Sequence, residues 1–352
     1  MTDDLPEAVS PGHLTEVFRG TGALAGGRVT GVTVETSRQM LLSTNMRLRL
    51  EYDGQPGAAP SRVFFKTRRV DSPIAAESLG RPEVDFYSRV APLTPAGLLP
   101  RCFEAEADAT GEWHLLLEDL GESHDVVSEW PVPPTVEQCG RILEAHARFH
   151  AFWWDHLKLG GSVGTFLDVA FDRHMAEFSN QLADFVDRLG DRVTGEQRRV
   201  FERLLASAPR LFADRYRPHR NLTLLHGDAH VWNTLYPRDL GRDGVRLIDW
   251  DSWRIDVATD DLAYMMALHW SPDRRRRLER ECLERYHAAL IGAGVSGYDF
   301  DTLWLDYRLS VLWQMTTPMW QAAHKIGPWI WWYNFERIMR AVEDLECLEL
   351  LD

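Results

Sequence analysis

The chain has 352 residues, 45% of them apolar, and carries a formal charge of −14. Length and composition together suit one large folded domain or two ordinary ones and exclude a disordered chain. The acidic balance argues against a nucleic-acid partner, because a phosphate backbone selects a basic face.

No basic-then-apolar leader opens the chain, and runs such as "LTLL" and "WIWW" are too short to cross a bilayer. A cytoplasmic protein without a membrane partner is therefore expected, as monomer or homodimer. The four cysteines (Cys102, Cys139, Cys282, Cys347) form no CxxC pair and read as reduced and structural. Of 39 basic residues only Lys66, Lys158 and Lys325 are lysine. In a chain so biased to arginine, a lysine at a chemically special position carries information.

Period-two alternation with β-branched residues marks strands in "RVTGVTVET", "MRLRLEY" and "SRVFF" between 28 and 66, with "DGQPG" as a turn between the second and third. "RPEVDFYSRVA" follows as a helix, with Pro82 in its first turn. "HLLLEDLG" is another strand. Beyond it the segments 135–158, 172–190, 195–216, 272–293 and 300–348 read as helices, and all 14 tryptophans lie at or after Trp113. The expected organisation is α+β: a small antiparallel β-rich lobe over 1–117, a hinge at about 117–121, and a larger, mainly helical lobe over 118–352.

Two stretches carry chemistry. In "FFKT" a strand ends on Lys66; a surface lysine can simply snorkel there, but a compact point charge also suits phosphate oxygens. Seventeen residues later Glu83 lies on the next helix, where it can pair with that lysine. In "LTLLHGDAHVWNTLY" an apolar strand opens into a polar loop with Asp228 and Asn233 five positions apart, and "VRLIDW" is a second apolar strand delivering Asp249 at its end. A carboxylate just past a buried strand is held rigidly yet faces solvent, as a metal ligand must. Mg²⁺ takes hard oxygen ligands, which Asp249 and the Asn233 amide oxygen supply, leaving Asp228 to accept a proton. The plainer reading is a loop of Asx turns.

"HGDAHVWN" followed by "LIDW" and "DDLAYM" resembles the aminoglycoside phosphotransferase and choline kinase superfamily, of protein-kinase-like two-lobed fold. The C-terminal "WWYNFERIMRAVEDLE" looks like its ecdysteroid-kinase-like branch. The resemblance spans about 28 to 348. It implies a phosphotransferase with an alcohol acceptor, ATP or GTP as donor and Mg²⁺ as cofactor. It makes Asp228 the catalytic base, Asn233 and Asp249 metal ligands, and Lys66 with Glu83 the phosphate-orienting pair. Glu118 and Leu120, in "LLLEDLG", would form the hinge that reads the base, and Asp261 would brace the catalytic loop.

The chain departs from the pattern in the loop between its first two strands, "SRQMLLST", which has no glycine. Ser43 and Thr44 still offer hydroxyls and backbone N–H groups to a phosphate, at a cost in close approach. Where the family has a glycine before "DLA", Asp256 stands.

His146 and His150 lie one helical turn apart, but no third ligand is evident and they read as structural. Trp313, Trp320, Trp329, Trp331 and Trp332 crowd twenty residues near Pro318 and Pro328. They fit either a core or the wall of a cleft for a ring-bearing acceptor, with Trp320 and Trp332 as its contacts. The expected function is transfer of the γ-phosphoryl group to a hydroxyl of a natural product, an antibiotic above all. The alternatives are a kinase of choline-like amino alcohols and a nucleotide-binding pseudokinase without turnover.

Overall fold

The computed structural model describes residues 5–40, 43–69 and 80–352. The chain divides into two compact units, one of Met1–Asp125 with Tyr236–Asp251 and one of Val126–Leu235 with Ser252–Asp352. Segment 236–251 thus belongs with the first unit, which a linear division at 117–121 does not reveal. Its attachments are specific. Leu247 N–H donates to Leu98 O at 2.9 Å, Arg246 to Gly97 O at 2.9 Å, and the Trp250 ring stacks on Phe86 with centroids 4.0 Å apart.

The first unit is built on a five-stranded antiparallel sheet of β1 (Arg28–Gln39), β2 (Ser43–Asp53), β3 (Arg62–Arg68), β4 (Cys102–Ala107) and β5 (Trp113–Glu118), in the order β1-β2-β3-β5-β4. A helix not evident in the sequence, α1 (Pro11–Gly20), covers one face. Ser10 caps it through the His13 N–H, and its Leu14 and Phe18 join Leu48, Val63, Phe65, Phe103 and Leu116 in a core. Each large apolar side chain fully buried there contributes about 1.5–3 kcal/mol. Strand alternation does the rest. With Val63 and Phe65 committed to the core, Lys66 faces the other way, registered against Leu115 of β5.

On that side sits α2 (Arg81–Asp85), which widens into a π-helical turn at Phe86–Val90. It starts at Gly80, whose φ is +86°; a Cβ there would lie 2.0 Å from the Trp113 ring. Only glycine serves at that position.

The second unit is mainly helical: α3 (Val136–Trp153), α4 (Phe171–Leu189), α5 (Gly195–Arg215), α6 (Thr259–Ala263), α7 (Pro272–Gly292), α8 (Phe300–Gln314), α9 (Thr317–Ala323) and α10 (Pro328–Asp344). Thr135 and Gln138 form a reciprocal capping box that starts α3, and Thr194 with Gln197 does the same for α5. The single helix expected over 300–348 is three, because Pro318 and Pro328 lack the N–H that a helix interior needs and instead begin α9 and α10. Thr223–Leu225, wholly buried, pairs antiparallel with Arg254–Asp256. Among the described residues no helix is long and apolar enough to cross a membrane.

Candidate active-site clusters

In the first unit Lys66, from the far end of β3, is buried and held by two carboxylates. Its Nζ donates to Glu83 Oε2 at 2.5 Å and to Asp249 Oδ1 at 2.7 Å. Glu83 is itself buried on α2, and its other oxygen accepts the Trp250 N–H at 3.4 Å. The Asp249 side chain is 46% exposed, so one face is secured and the other is open. Its backbone is left-handed, with φ +69°, a conformation that aspartate tolerates better than most residues at a cost of order 1 kcal/mol. The stacked Trp250 holds that backbone in place.

Asp251 completes the group, accepting the Gly80 N–H at 3.0 Å. Ligand atoms of Glu83, Asp249 and Asp251 lie within 4.8 Å of one another. Burial works against the Lys66 charge, but Asp249, Glu83 and Asp251 outweigh it and raise the lysine pKa. Burial also pushes the Glu83 carboxyl up, against the pull of Lys66 and with the help of Asp249 and Asp251, and it raises Asp251 likewise. Three carboxylates face one ammonium. The surplus of negative charge is what a divalent cation neutralises.

In the second unit the strand Thr223–Leu225 ends in a loop carrying His226, Gly227, Asp228 and Asn233. Asp261, fully buried on α6, accepts the backbone N–H groups of His226 and Gly227, both at 2.8 Å, and faces His150 Nε2 at 3.1 Å. Burial opposes its ionisation, yet His150, His146 and His226 hold its carboxyl well below the usual range. Gly227 has φ +81°, and a Cβ there would lie 2.0 Å from Ser252 O. The loop is thereby pinned, and Asp228 projects from it. Asn233 Nδ2 donates to Asp228 O and Oδ2, both at 2.9 Å, leaving its amide oxygen as the atom a cation would take. Tyr264 O–H donates to Asp228 Oδ1 at 2.5 Å, and His230 Nε2 lies 3.6 Å from Oδ2. Burial favours the protonated carboxyl, but His230 and the Tyr264 hydroxyl outweigh it and lower the Asp228 pKa. An ionised carboxylate, oriented by donors and partly open to solvent, can accept a proton from an alcohol.

The model describing the ecdysteroid kinase-like family matches residues 42–293, a span that includes Lys66, Glu83, Asp228, Asn233 and Asp249. The chain belongs to that family. Its fold is similar to that of a protein from Ralstonia eutropha JMP134 assigned as an aminoglycoside phosphotransferase, at 15% identity and a TM-score of 0.57 over 96% of this chain and 98% of that one. It is also similar to wild-type aminoglycoside 2′-phosphotransferase-IIIa in its GDP complex, at 14% identity and 0.56 over 96% and 99%. A choline kinase from Streptococcus pneumoniae matches at 14% identity and 0.50 over 94% and 98%. Identities this low speak to fold, which is α+β and protein-kinase-like. No curated protein sequence matches the chain significantly.

The remaining positions of this ecdysteroid kinase-like chain sit less simply. β1 and β2 pair up to Gln39 opposite Thr44; Leu41 and Leu42 of the glycine-free loop between them lie outside the described residues. Ser43 is buried and donates to Asn45 Oδ1 at 2.9 Å, while Thr44 is registered between Gln39 and Thr67. Glu118 ends β5 and accepts the Arg101 N–H at 3.2 Å; the Leu120 carbonyl accepts from Ser123 and His124 at 3.1 and 2.9 Å.

The tryptophan cluster divides between core and surface. Trp320 is 47% exposed and stacks on His324, Trp332 packs on Phe335, and Trp331 is core beside Phe185. Helix breaks at the two prolines turn these rings in different directions, and neither Trp320 nor Trp332 lines the cavity at the Asp228 loop. The aromatic neighbours of that loop are Trp232, with Trp130 at 6.3 Å and His269 at 6.4 Å between centroids, and Trp270. The "DDLAYM" stretch hinted at Tyr264, three residues after Asp261 and so on the same helical face. Nothing in the sequence pointed to His269 or to Asp251's bond with Gly80.

Proposed function

We propose that the protein transfers the γ-phosphoryl group of ATP or GTP to a hydroxyl of a ring-bearing natural product, an antibiotic being the leading class. The observation that carries this reading is the buried Lys66 clasped between Glu83 and Asp249, a point charge fixed where phosphate oxygens can meet it. The donors suit a divalent ion: Asp249 in the first unit and the Asn233 amide oxygen in the second each offer the hard oxygen that Mg²⁺ takes, and the ion would neutralise phosphate charge when bound. Asp228 accepts the proton as the acceptor O–H bond breaks. The freed oxygen bonds to the γ-phosphorus while the bond to the β–γ bridging oxygen breaks, and nucleoside diphosphate leaves.

A ring-bearing acceptor is favoured by the Trp130, Trp232, His269 and Trp270 surroundings of the Asp228 loop rather than by Trp320 or Trp332. The protein would work in the cytoplasm, as monomer or homodimer, with no nucleic-acid or membrane partner. Incubation with nucleotide, Mg²⁺ and a panel of antibiotics, amino alcohols and nucleosides tests the reading by mass spectrometry. A product 80 Da heavier, absent with Asp228→Asn, supports it; efficient turnover confined to small amino alcohols contradicts the acceptor class. The absence of glycine from the β1–β2 loop favours a second reading, a nucleotide binder without turnover. Saturable nucleotide binding with neither transfer nor slow hydrolysis would select it.

A further inference from the structure

Beside the Asp228 loop, within the second unit, lies a cavity of about 130 Å³ lined by Pro131, Val231, Trp232, His269, Trp270, Arg274 and Arg337 among others. It adjoins the proposed base closely. Val231 and Trp232 follow Asp228 in the same loop, and the His269 ring lies 4.8 Å from that of Tyr264, which donates to Asp228.

Two guanidinium groups stand on this wall. Buried Arg275 and the partly buried Arg215 and Arg254 each meet a carboxylate: Glu279 at 2.8 Å, Asp306 at 2.5 Å and Asp256 at 3.3 Å. Among the described residues neither Arg274 nor Arg337 has a carboxylate within ion-pair distance. Arg274 lies over the Trp270 ring at 4.9 Å and donates to Pro134 O at 2.6 Å; its Nε is buried without an acceptor, as is Trp270 Nε1. Arg337 lies 5.9 Å over Tyr333, and burial pulls its pKa below that of a free guanidinium. In a protein of charge −14, carboxylates to quench these groups were plentiful. Both guanidiniums are partly buried, and an anion seated in the cavity would add charge-assisted hydrogen bonds that neither makes now. The cavity also has the size of a functional group rather than of a whole natural product.

We propose that the acceptor carries an anionic group, a carboxylate or phosphate next to its ring, that seats on Arg274 and Arg337 while its hydroxyl faces Asp228. This rests on the phosphotransferase reading and narrows it: cationic acceptors such as amino alcohols and amine-rich antibiotics are disfavoured at this wall. The geometry suits guanidinium chemistry, with planar donors for a carboxylate or phosphate and aromatic faces for the ring that bears it.

The test is direct binding to the full chain, without nucleotide, followed by tryptophan fluorescence. The probes are benzoate, phenyl phosphate, benzyl alcohol, benzylamine and inorganic phosphate. Benzoate and phenyl phosphate should bind saturably and lose at least tenfold in affinity in Arg337→Gln and in Arg274→Gln, with partial recovery in Arg337→Lys. Tighter binding of benzylamine or benzyl alcohol, or anion binding unaffected by Arg337→Gln, overturns the proposal. Inorganic phosphate binding as tightly as phenyl phosphate also overturns it, because the site would then serve a free anion. The binding test reads no turnover, so a transfer assay run beside it separates the two claims. Arginine-dependent anion binding in a protein that transfers no phosphoryl group defeats only the kinase reading; efficient transfer to cationic acceptors, unaltered in Arg337→Gln, defeats only this one.

Discussion

The Lys66 cluster and the Asp228 loop hold their functional groups by opposite means. In the first unit, full charges clasp each other: one ammonium among three carboxylates, with Asp249 on a strained backbone. In the second, a single carboxylate is oriented mainly by an amide, a phenol and a nearby imidazole, while Asp261 holds the loop by its backbone N–H groups. Under the proposed function the first cluster would release one partner to receive phosphate and metal, which suits competing charges. A group that must keep one direction and one protonation state suits fixed dipoles. The difference implies that single substitutions in the first cluster should disturb several partners, and in the second only one.

The largest effect should follow Asp249→Ala, which removes a proposed metal ligand and leaves Lys66 short of a partner. Phosphotransfer should fall to background at any Mg²⁺ concentration, and retained rate and metal dependence would move the site to Asp251. Asp228→Asn should fold normally, by circular dichroism and melting, yet lose about two to four orders of magnitude in kcat. Near-wild-type turnover would remove Asp228 from the chemistry. Lys66→Ala and Glu83→Ala should each weaken nucleotide use and combine less than additively in a double-mutant cycle, because either one breaks the same ion pair. Strict additivity would mean that the 2.5 Å contact has no energetic weight.

Tyr264→Phe deletes one donor to one carboxylate and should cost only about tenfold in kcat, the equivalent of a charge-assisted hydrogen bond of about 1.5 kcal/mol. A loss as large as that of Asp228→Asn would make the tyrosine a participant rather than a support.

The smallest effect is on stability alone. His146 is buried with neither ring nitrogen hydrogen-bonded, and burial lowers its pKa to about 3. An unfolded histidine takes up its proton near pH 6.5, so between about 6.5 and 3 acid favours the unfolded chain and stability declines as pH falls. His146→Phe removes that contribution. Urea denaturation should show the variant losing about 2 kcal/mol less than the wild type between pH 6.5 and 4.5; parallel curves would place His146 in contact with solvent.

What was legible in the sequence was local or periodic. Alternation in "SRVFF" puts Lys66 on the face opposite Phe65, and Asp228 and Asn233 stand five residues apart in one loop. What was not legible arises where distant segments return. Lys66 meets Asp249 across 183 positions and Gly80 meets Asp251 across 171, through a segment whose membership in the first unit depends on Trp250 stacking on Phe86. Five tryptophans in twenty residues fitted either a core or a cleft wall, because where each ring points depends on the helix breaks at Pro318 and Pro328. The arginines of the cavity gave no signal, because an unpaired cation is recognised only once its neighbours are known.

The return of 236–251 to the first unit bears on how the protein is made. A ribosome delivers Phe86 more than 160 residues before Trp250 arrives to cover it. Until then the sheet and α2 must persist with that ring uncovered and Glu83 without its contact to the Trp250 backbone. The first unit is therefore among the first parts synthesised and cannot be completed until much of the helical unit has emerged. Assembly of the Lys66 cluster becomes a late event, available only to a chain that has already been translated through the Asp228 loop.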